Sequence, residues 1–277
     1  MSAPENVTYI REHMSLKEGD VDPELNKLIK SLVICSELFI VYLSDDYSIQ
    51  WRTVGAHEPA KHFGEVLNRV ASLEMRSRFI SDKSTLLGIR HQIAEGLARC
   101  LEGRPLASSS AILKEVELEV QARNREVSWG WYFGAAYPIG AGCAVGIFIL
   151  WIFRNYFRGI LGGGAFEVAL GAFCGAIGAL LSVTSRGDRL VMDANAGKPI
   201  HNLEGISRVG AGIGGAFFAA LAVKSGIILG GAHFFGSKLA LLMAVCVAAG
   251  ASERFIPSLV KNIEKIAHQA GEKDRQH

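Results

Sequence analysis

The sequence predicts a mostly α membrane protein. The expected architecture is a four-helix transmembrane bundle, built as two tandem helical hairpins, with an N-terminal cytoplasmic α+β domain. Three observations lead there. Of the 277 residues, 49% are apolar and only 20% are charged, less charge than a soluble chain of this size carries. The charge is also uneven. Residues 1–126 hold 16 Lys+Arg and 19 Asp+Glu, a net of −3, whereas residues 127–277 hold 13 and 8, a net of +5. Finally, Val127 to Phe153 contains no charged residue over 27 positions. At about 1.5 Å per residue this exceeds the ~30 Å hydrocarbon core of a bilayer.

The same composition excludes intrinsic disorder, a collagen-like repeat and a disulfide scaffold. Cys35, Cys100, Cys143, Cys174 and Cys246 stand alone, with no CxxC among them, so neither a zinc site nor a disulfide framework is expected. No strongly basic face appears, and direct nucleic-acid binding is not expected. The start, MSAPENVTYIREH, lacks an apolar core behind a basic stretch, so no cleaved signal peptide is expected.

Residues 1–104 read as the cytoplasmic domain. VDPELNKLIKSLVIC (21–35) reads as a short helix, with Asp22 capping it ahead of Pro23. Glu37–Leu43 and Tyr47–Val54 are rich in β-branched and aromatic residues around Ser44-Asp45-Asp46, which predicts a β-hairpin. Glu58–Arg76 has helical apolar spacing at Phe63, Val66, Leu67, Val70 and Leu73. A second helix covers Ser84–Leu101, opened by Asp82 or Ser84 and closed by Gly103. Ser108 or Ser109 is expected to cap a third, the connecting helix of residues 105–128. No helix breaker separates it from Val127, so it is expected to run straight into the first span and link domain to bundle.

The transmembrane region is expected over 129–254, with spans at about 129–153, 159–183, 203–223 and 228–251 and a cytoplasmic tail at 255–277. Trp129, Trp131, Tyr132 and Tyr137 begin the first span, and Trp151, Tyr156 and Phe157 end it, as interfacial aromatics do. Arg154 and Arg158 mark a very short loop. Lys224 and Lys238 weaken the last two spans, but an internal repeat supports them. Ile139-Gly-Ala-Gly142 reads against Val209-Gly-Ala-Gly212 at an offset of 70. Leu161-Gly-Gly163 reads against Leu229-Gly-Gly231 at 68. Two parallel copies of one hairpin would give this pattern, although Gly/Ala-rich helices also resemble one another by composition.

Five GxxxG pairs supply candidate packing positions: Gly142/Gly146, Gly159/Gly163, Gly171/Gly175, Gly210/Gly214 and Gly226/Gly230. Small residues four apart let helix backbones approach closely in lipid, so a tight bundle and a homo-oligomer are expected. With four spans both termini share a side. Lys and Arg near the spans number nine on that side and three on the other, which places both termini in the cytoplasm of an inner membrane.

The candidate intramembrane charges are Glu167 and Lys238. Ionisable groups inside a span are costly and often functional. The repeat brings the two about one helical turn apart, so they are expected to line a pore or couple protons as a pair, or else to form a structural salt bridge or snorkel to the interface. Gly210-Ala-Gly-Ile-Gly-Gly215 matches GxGxxG, but it lies in a span with no preceding strand and no acidic residue near position 230. It is not read as a dinucleotide site. His57, His62 and His91 read as solvated surface residues, and Asp45 and Asp46 as turn residues. No catalytic, cofactor or metal residues are assigned, and the chain is not expected to be an enzyme.

Two segments carry a resemblance, SSSAILKEVELEVQARNREVSWGWYFGAAY (108–137) and AGASERFIPSLVKNIEK (249–265). They resemble segments of small bacterial inner-membrane proteins carried beside antiviral systems of the retron and cyclic-oligonucleotide types, over less than a fifth of the chain. Neither is a catalytic motif, so no residue roles carry over. The resemblance implies an effector whose cytoplasmic part is held silent by a protein or nucleoprotein partner. Its membrane part would damage the bilayer on release, as in abortive infection. The alternative is a small transporter or channel of ordinary physiology.

Overall fold

The structure is a computed structural model that describes residues 13–185, 192–228 and 237–252. It is mostly helical, with a small N-terminal sheet. Strands β1 (Val21–Asp22), β2 (Lys27–Cys35), β3 (Phe39–Ser44) and β4 (Ile49–Thr53) come first. Helices α1 (Phe63–Arg76), α2 (Lys83–Leu101), α3 (Leu106–Ile152), α4 (Arg154–Ser185), α5 (Lys198–Lys224) and α6 (Lys238–Ala251) follow. The chain divides into two compact units. One runs to Val127 and also includes Asp193–Asn195; the other holds Ser128–Met192 and the residues from Ala196 on.

In the first unit the strands form an antiparallel meander in the order β1-β2-β3-β4. The helix expected over 21–35 is instead a hairpin, with Val21 opposite Leu28 and Asp22 opposite Lys27. Asp22 accepts from the Glu24 N–H at 3.0 Å, and Asn26 takes φ 51°. Asp-Pro therefore opens a tight turn here rather than a helix. Beyond it, Ile29, Val33 and Ile34 favour the extended chain over a helix they would crowd. The expected hairpin around Ser44-Asp45-Asp46 forms as β3 and β4, with Val41 opposite Trp51. The turn is held by the Asp46 carboxylate, which accepts from the Ser48 N–H at 3.0 Å and from the Ser44 and Ser48 hydroxyls. These bonds favour the charged form and hold its carboxyl below the usual carboxylate range.

Alternation along β3 assigns the two sheet faces. Phe39, Val41 and Leu43 join the main core with Val66, Val70 and Leu73 of α1, Ile93 and Leu97 of α2, and Leu113, Val116 and Val120 of α3. Ile40 and Tyr42 face the other way, packing with Ile29, Leu16 and Leu32. Asp82 caps α2 as expected, accepting from the Thr85 N–H at 2.8 Å. Gly103, at φ +75°, follows its end. Helix α3 starts at Leu106, just after Pro105, ahead of the expected Ser108 or Ser109 cap, and Ser109 is fully buried. A fixed φ at Pro105 suits a helix start without a hydroxyl cap.

Residues 193–195 close this unit. The Asn124 side chain on α3 donates to Asp193 Oδ1 at 3.1 Å and accepts from the Ala194 N–H at 2.7 Å. Asn195 Nδ2 donates to the Arg76 carbonyl at the end of α1, also at 3.1 Å. Ala194 is buried beneath these bonds.

In the second unit, α3, α4 and α5 are each long and apolar enough to cross a membrane. Helix α3 stays continuous through Pro138 to Ile152. The loop expected at Arg154–Arg158 is helical instead. Phe153 N–H donates to the Ile149 carbonyl and Phe157 N–H to the Phe153 carbonyl, both at 3.0 Å. The break comes at Gly162, with φ 76° and ψ 156°, a conformation open to glycine and closed to most side chains. Contacts on either side of it define an antiparallel hairpin. Leu150 clusters with Phe166 and Leu170, and the Arg158 guanidinium lies 5.2 Å from the Phe166 ring centre. Arginine has good helix propensity and does not force a loop, whereas the Gly162-Gly-Gly run permits one.

The fourth expected span is not confirmed among the described residues. Helix α6 has 14 residues, about 21 Å at 1.5 Å per residue, which is shorter than the ~30 Å core. Residues 229–236 of the expected 228–251 span lie outside the described residues.

Candidate functional site

Helices α4, α5 and α6 meet along a seam of glycines. A Cβ placed on Gly175 of α4 would collide with the Gly212 carbonyl oxygen and the Ala216 Cβ of α5. One on Gly212 would lie 2.6 Å from Ala179 Cβ, 2.9 Å from the Gly175 oxygen and 3.3 Å from the Gly250 oxygen of α6. One on Gly250 would strike the Gly175 backbone. Three backbones therefore converge at Gly175, Gly212 and Gly250. Such approach is available only to residues without a side chain. One turn away Gly171 faces Ala220 and Cys246, and Gly178 faces the Val247 carbonyl and Ala251 N.

Of the expected packing positions, Gly171 and Gly175 lie in this seam, and Gly146 faces the Phe173 ring at 3.3 Å. Gly142, Gly159, Gly163, Gly210 and Gly214 meet nothing within 4 Å. Gly226 is a helix terminator with φ 76°, following the Ser225 C-cap of α5. Gly230 lies outside the described residues. The seam is completed by glycines that the four-residue motif passed over, namely Gly178, Gly212 and Gly250. Gly205 adds a further close approach, a Cβ there lying 2.6 Å from the Tyr132 carbonyl oxygen of α3. Their sequence signal is a wider spacing on one helix face: Gly171, Gly175 and Gly178 stand at i, i+4 and i+7, and Gly205 and Gly212 are seven apart.

The repeat is not mirrored in packing. Gly140 meets Leu180 while its counterpart Gly210 is open, and Gly212 is packed while Gly142 is open. Helix α3 packs on α4 through larger groups, with Tyr132, Ala136 and Cys143 against Ala176, Val183 and Leu180.

Glu167 forms its ion pair with Lys224, the last residue of α5, rather than with Lys238. Glu167 stands five residues after the Gly162 break, and the side chains of Glu167 and Lys224 are 23% and 39% exposed. The pair therefore ties helix ends together, with the cation at the C-terminal, negative end of α5. Lys238 is the exposed first residue of α6, just after the Ser237 cap.

The opposite end of the seam opens into a cavity of about 290 Å³. Its apolar part includes Ala179, Ala211 and Gly212, and its polar groups are Arg208, Ser182 and Ser252. Arg208 also lies beside the Tyr132 hydroxyl of α3. Among the described residues no group of three or more His, Cys, Asp or Glu is placed to hold a metal ion.

No protein-family model, curated protein or solved structure matches the chain.

Proposed function

We propose that the chain is an integral inner-membrane effector with both termini in the cytoplasm. Its N-terminal unit binds a protein or nucleoprotein partner, and its oligomeric helix bundle perturbs membrane integrity in antiviral defence by abortive infection. The observation that carries this reading is the shared helix. Leu113, Val116 and Val120 of α3 are core residues of the first unit, while Tyr132, Ala136 and Cys143 of the same helix are core residues of the second. An event that repacks the first unit acts directly on a helix that the bundle needs. The glycine seam supports the effector reading over a transporter. It fills the meeting point of three helices with backbone, and Glu167 is paired near helix ends instead of at a midplane binding site.

The test is membrane potential and growth after inducing the full chain, and after inducing residues 105–277. Collapse with the shorter form alone means that the N-terminal unit restrains the bundle. Collapse with both means that restraint comes from the partner. An unchanged potential with both rejects autonomous membrane damage.

A further inference from the structure

We propose that Arg154 and Arg158 form a binding site for the phosphate of an anionic phospholipid, in the leaflet at the Gly162 end of the bundle. The inference rests on the membrane reading above and adds a ligand to it.

The first argument is charge. From Val127 to Gly187 and from Val209 to Ser252 the only acidic residue is Glu167, and its carboxylate is taken by Lys224. Lys238 begins α6 next to Leu239, which packs with Phe166, so it belongs to the same end of the bundle. Arg154, Arg158 and Lys238 therefore have no carboxylate to share. Residues 229–236 contain no Asp or Glu, so that stretch adds no counter-charge either. The anion that balances this end has to come from outside the chain.

The second argument is geometry. Arg154 and Arg158 stand four apart on α4, which brings their Cβ atoms to about 5–6 Å on one face. Like charges at that spacing repel, and an anion held between them turns the repulsion into attraction. Each guanidinium is braced by a ring. Arg154 lies 5.7 Å from the Trp151 ring centre, and Arg158 5.2 Å from that of Phe166. Such a contact engages the face of a guanidinium and leaves its N–H edge for the bidentate bonds that phosphate accepts. Both arginines are exposed.

The third argument is depth. Tyr132 and Trp151 stand 19 positions apart on α3, about 28 Å at 1.5 Å per residue, which matches a hydrocarbon core of ~30 Å. Trp and Tyr mark the two interfaces, so Arg154, about one turn beyond Trp151, reaches the phosphate level. Trp151, Tyr156 and Ile160 are exposed around the pair and give a lipid's glycerol-ester region an apolar flank. Free phosphate gains nothing from that flank. A zwitterionic headgroup brings an ammonium to an end without a spare carboxylate. An acidic lipid such as phosphatidylglycerol gains from both the charge and the apolar surface.

The experiment uses the full chain with p-benzoylphenylalanine in place of Tyr156, in vesicles of equal parts phosphatidylethanolamine, phosphatidylglycerol and phosphatidylcholine. Lipids crosslinked by light are identified by mass spectrometry. Phosphatidylglycerol is expected to be captured roughly fivefold or more over phosphatidylcholine. Arg154→Gln with Arg158→Gln is expected to return capture to the vesicle composition. Arg154→Lys with Arg158→Lys keeps the charges and a preference, which separates loss of the site from loss of folding. Lys198→Gln, at the other end of α5, leaves the preference unchanged. Inorganic phosphate is expected to compete no better than sodium chloride of equal ionic strength. The proposal is overturned by a position 156 that captures no lipid, by equal capture of the three lipids, or by a preference unchanged in the Gln variant. A preference lost equally in the Gln and Lys variants, or removed specifically by inorganic phosphate, also overturns it. A carbonate wash of membranes gives the control. A chain released by carbonate rejects the membrane reading itself, whereas a retained chain without lipid selectivity rejects only the site.

Discussion

At the residue scale the first unit turns on one buried cation. Arg90 is 5% exposed, and its Nη1 lies 2.7 Å from Glu74 Oε1 while Nη2 donates to the Glu74 carbonyl at 2.6 Å. Burial lowers its pKa to about 10, with the Asp46 carboxylate pulling the other way, so it remains charged at neutral pH. The Glu74 carboxylate also accepts from the Ile49 N–H at 3.2 Å. One ion pair thus joins α1, α2 and the edge strand β4. Removing one partner of a buried pair costs more than removing both, because the survivor stays desolvated. Glu74→Gln is expected to destabilise the unit by about 3 kcal/mol, and Glu74→Gln with Arg90→Met by less, measured by urea unfolding of the full chain. A double variant at least as unstable as the single one contradicts this account. Neither residue stands out in the sequence, where each occupies an ordinary helical position. Only the fold makes Arg90 a core residue.

At the element scale the seam separates glycines that look alike in sequence. Gly175 sits where three backbones meet, and Gly142 faces open space. Gly175→Val is expected to cost about 3 kcal/mol or more, through overpacking against backbone that cannot rotate away. Gly142→Val is expected to stay within about 0.5 kcal/mol. Unfolding midpoints in detergent distinguish the two, and equal effects refute the seam. The elements were legible to different degrees. Helix α1 follows from its apolar spacing, α2 from the Asp82 and Gly103 signals that bound it, and β3 and β4 from β-branched and aromatic runs flanking a Ser-Asp-Asp turn. The three long apolar helices follow from stretches with few or no charges. Strand β2 is not legible because Asp22-Pro23 reads equally as a helix start and as a turn, and its pairing with β3 is a tertiary fact. The first turn of the second unit lies beyond Arg154 and Arg158, the expected markers, because backbone freedom at Gly162 sets it. Partner choice among glycines and between Lys224 and Lys238 depends on how helices are rotated, which a four-residue motif does not specify.

At the scale of the whole molecule, the first unit draws three residues from far along the chain. Asn124 and Asn195 hold the 193–195 turn through bonds of 2.7–3.1 Å to Ala194, Asp193 and Arg76. Each such bond contributes about 1 kcal/mol net. Asn124→Ala combined with Asn195→Ala is therefore expected to speed amide exchange at 193–197 by roughly tenfold or more, leaving α6 unchanged. Exchange at 193–195 that does not respond would show the turn to be held by other means. The turn also bears on how such a protein can be taken apart and recombined. A chimera joined at residue 127 takes Asn124 and Arg76 from one parent and Asp193–Asn195 from the other, so the two halves meet as strangers at that turn. A graft that respects the fold has two junctions rather than one, and carries the 193–195 segment along with the first 127 residues.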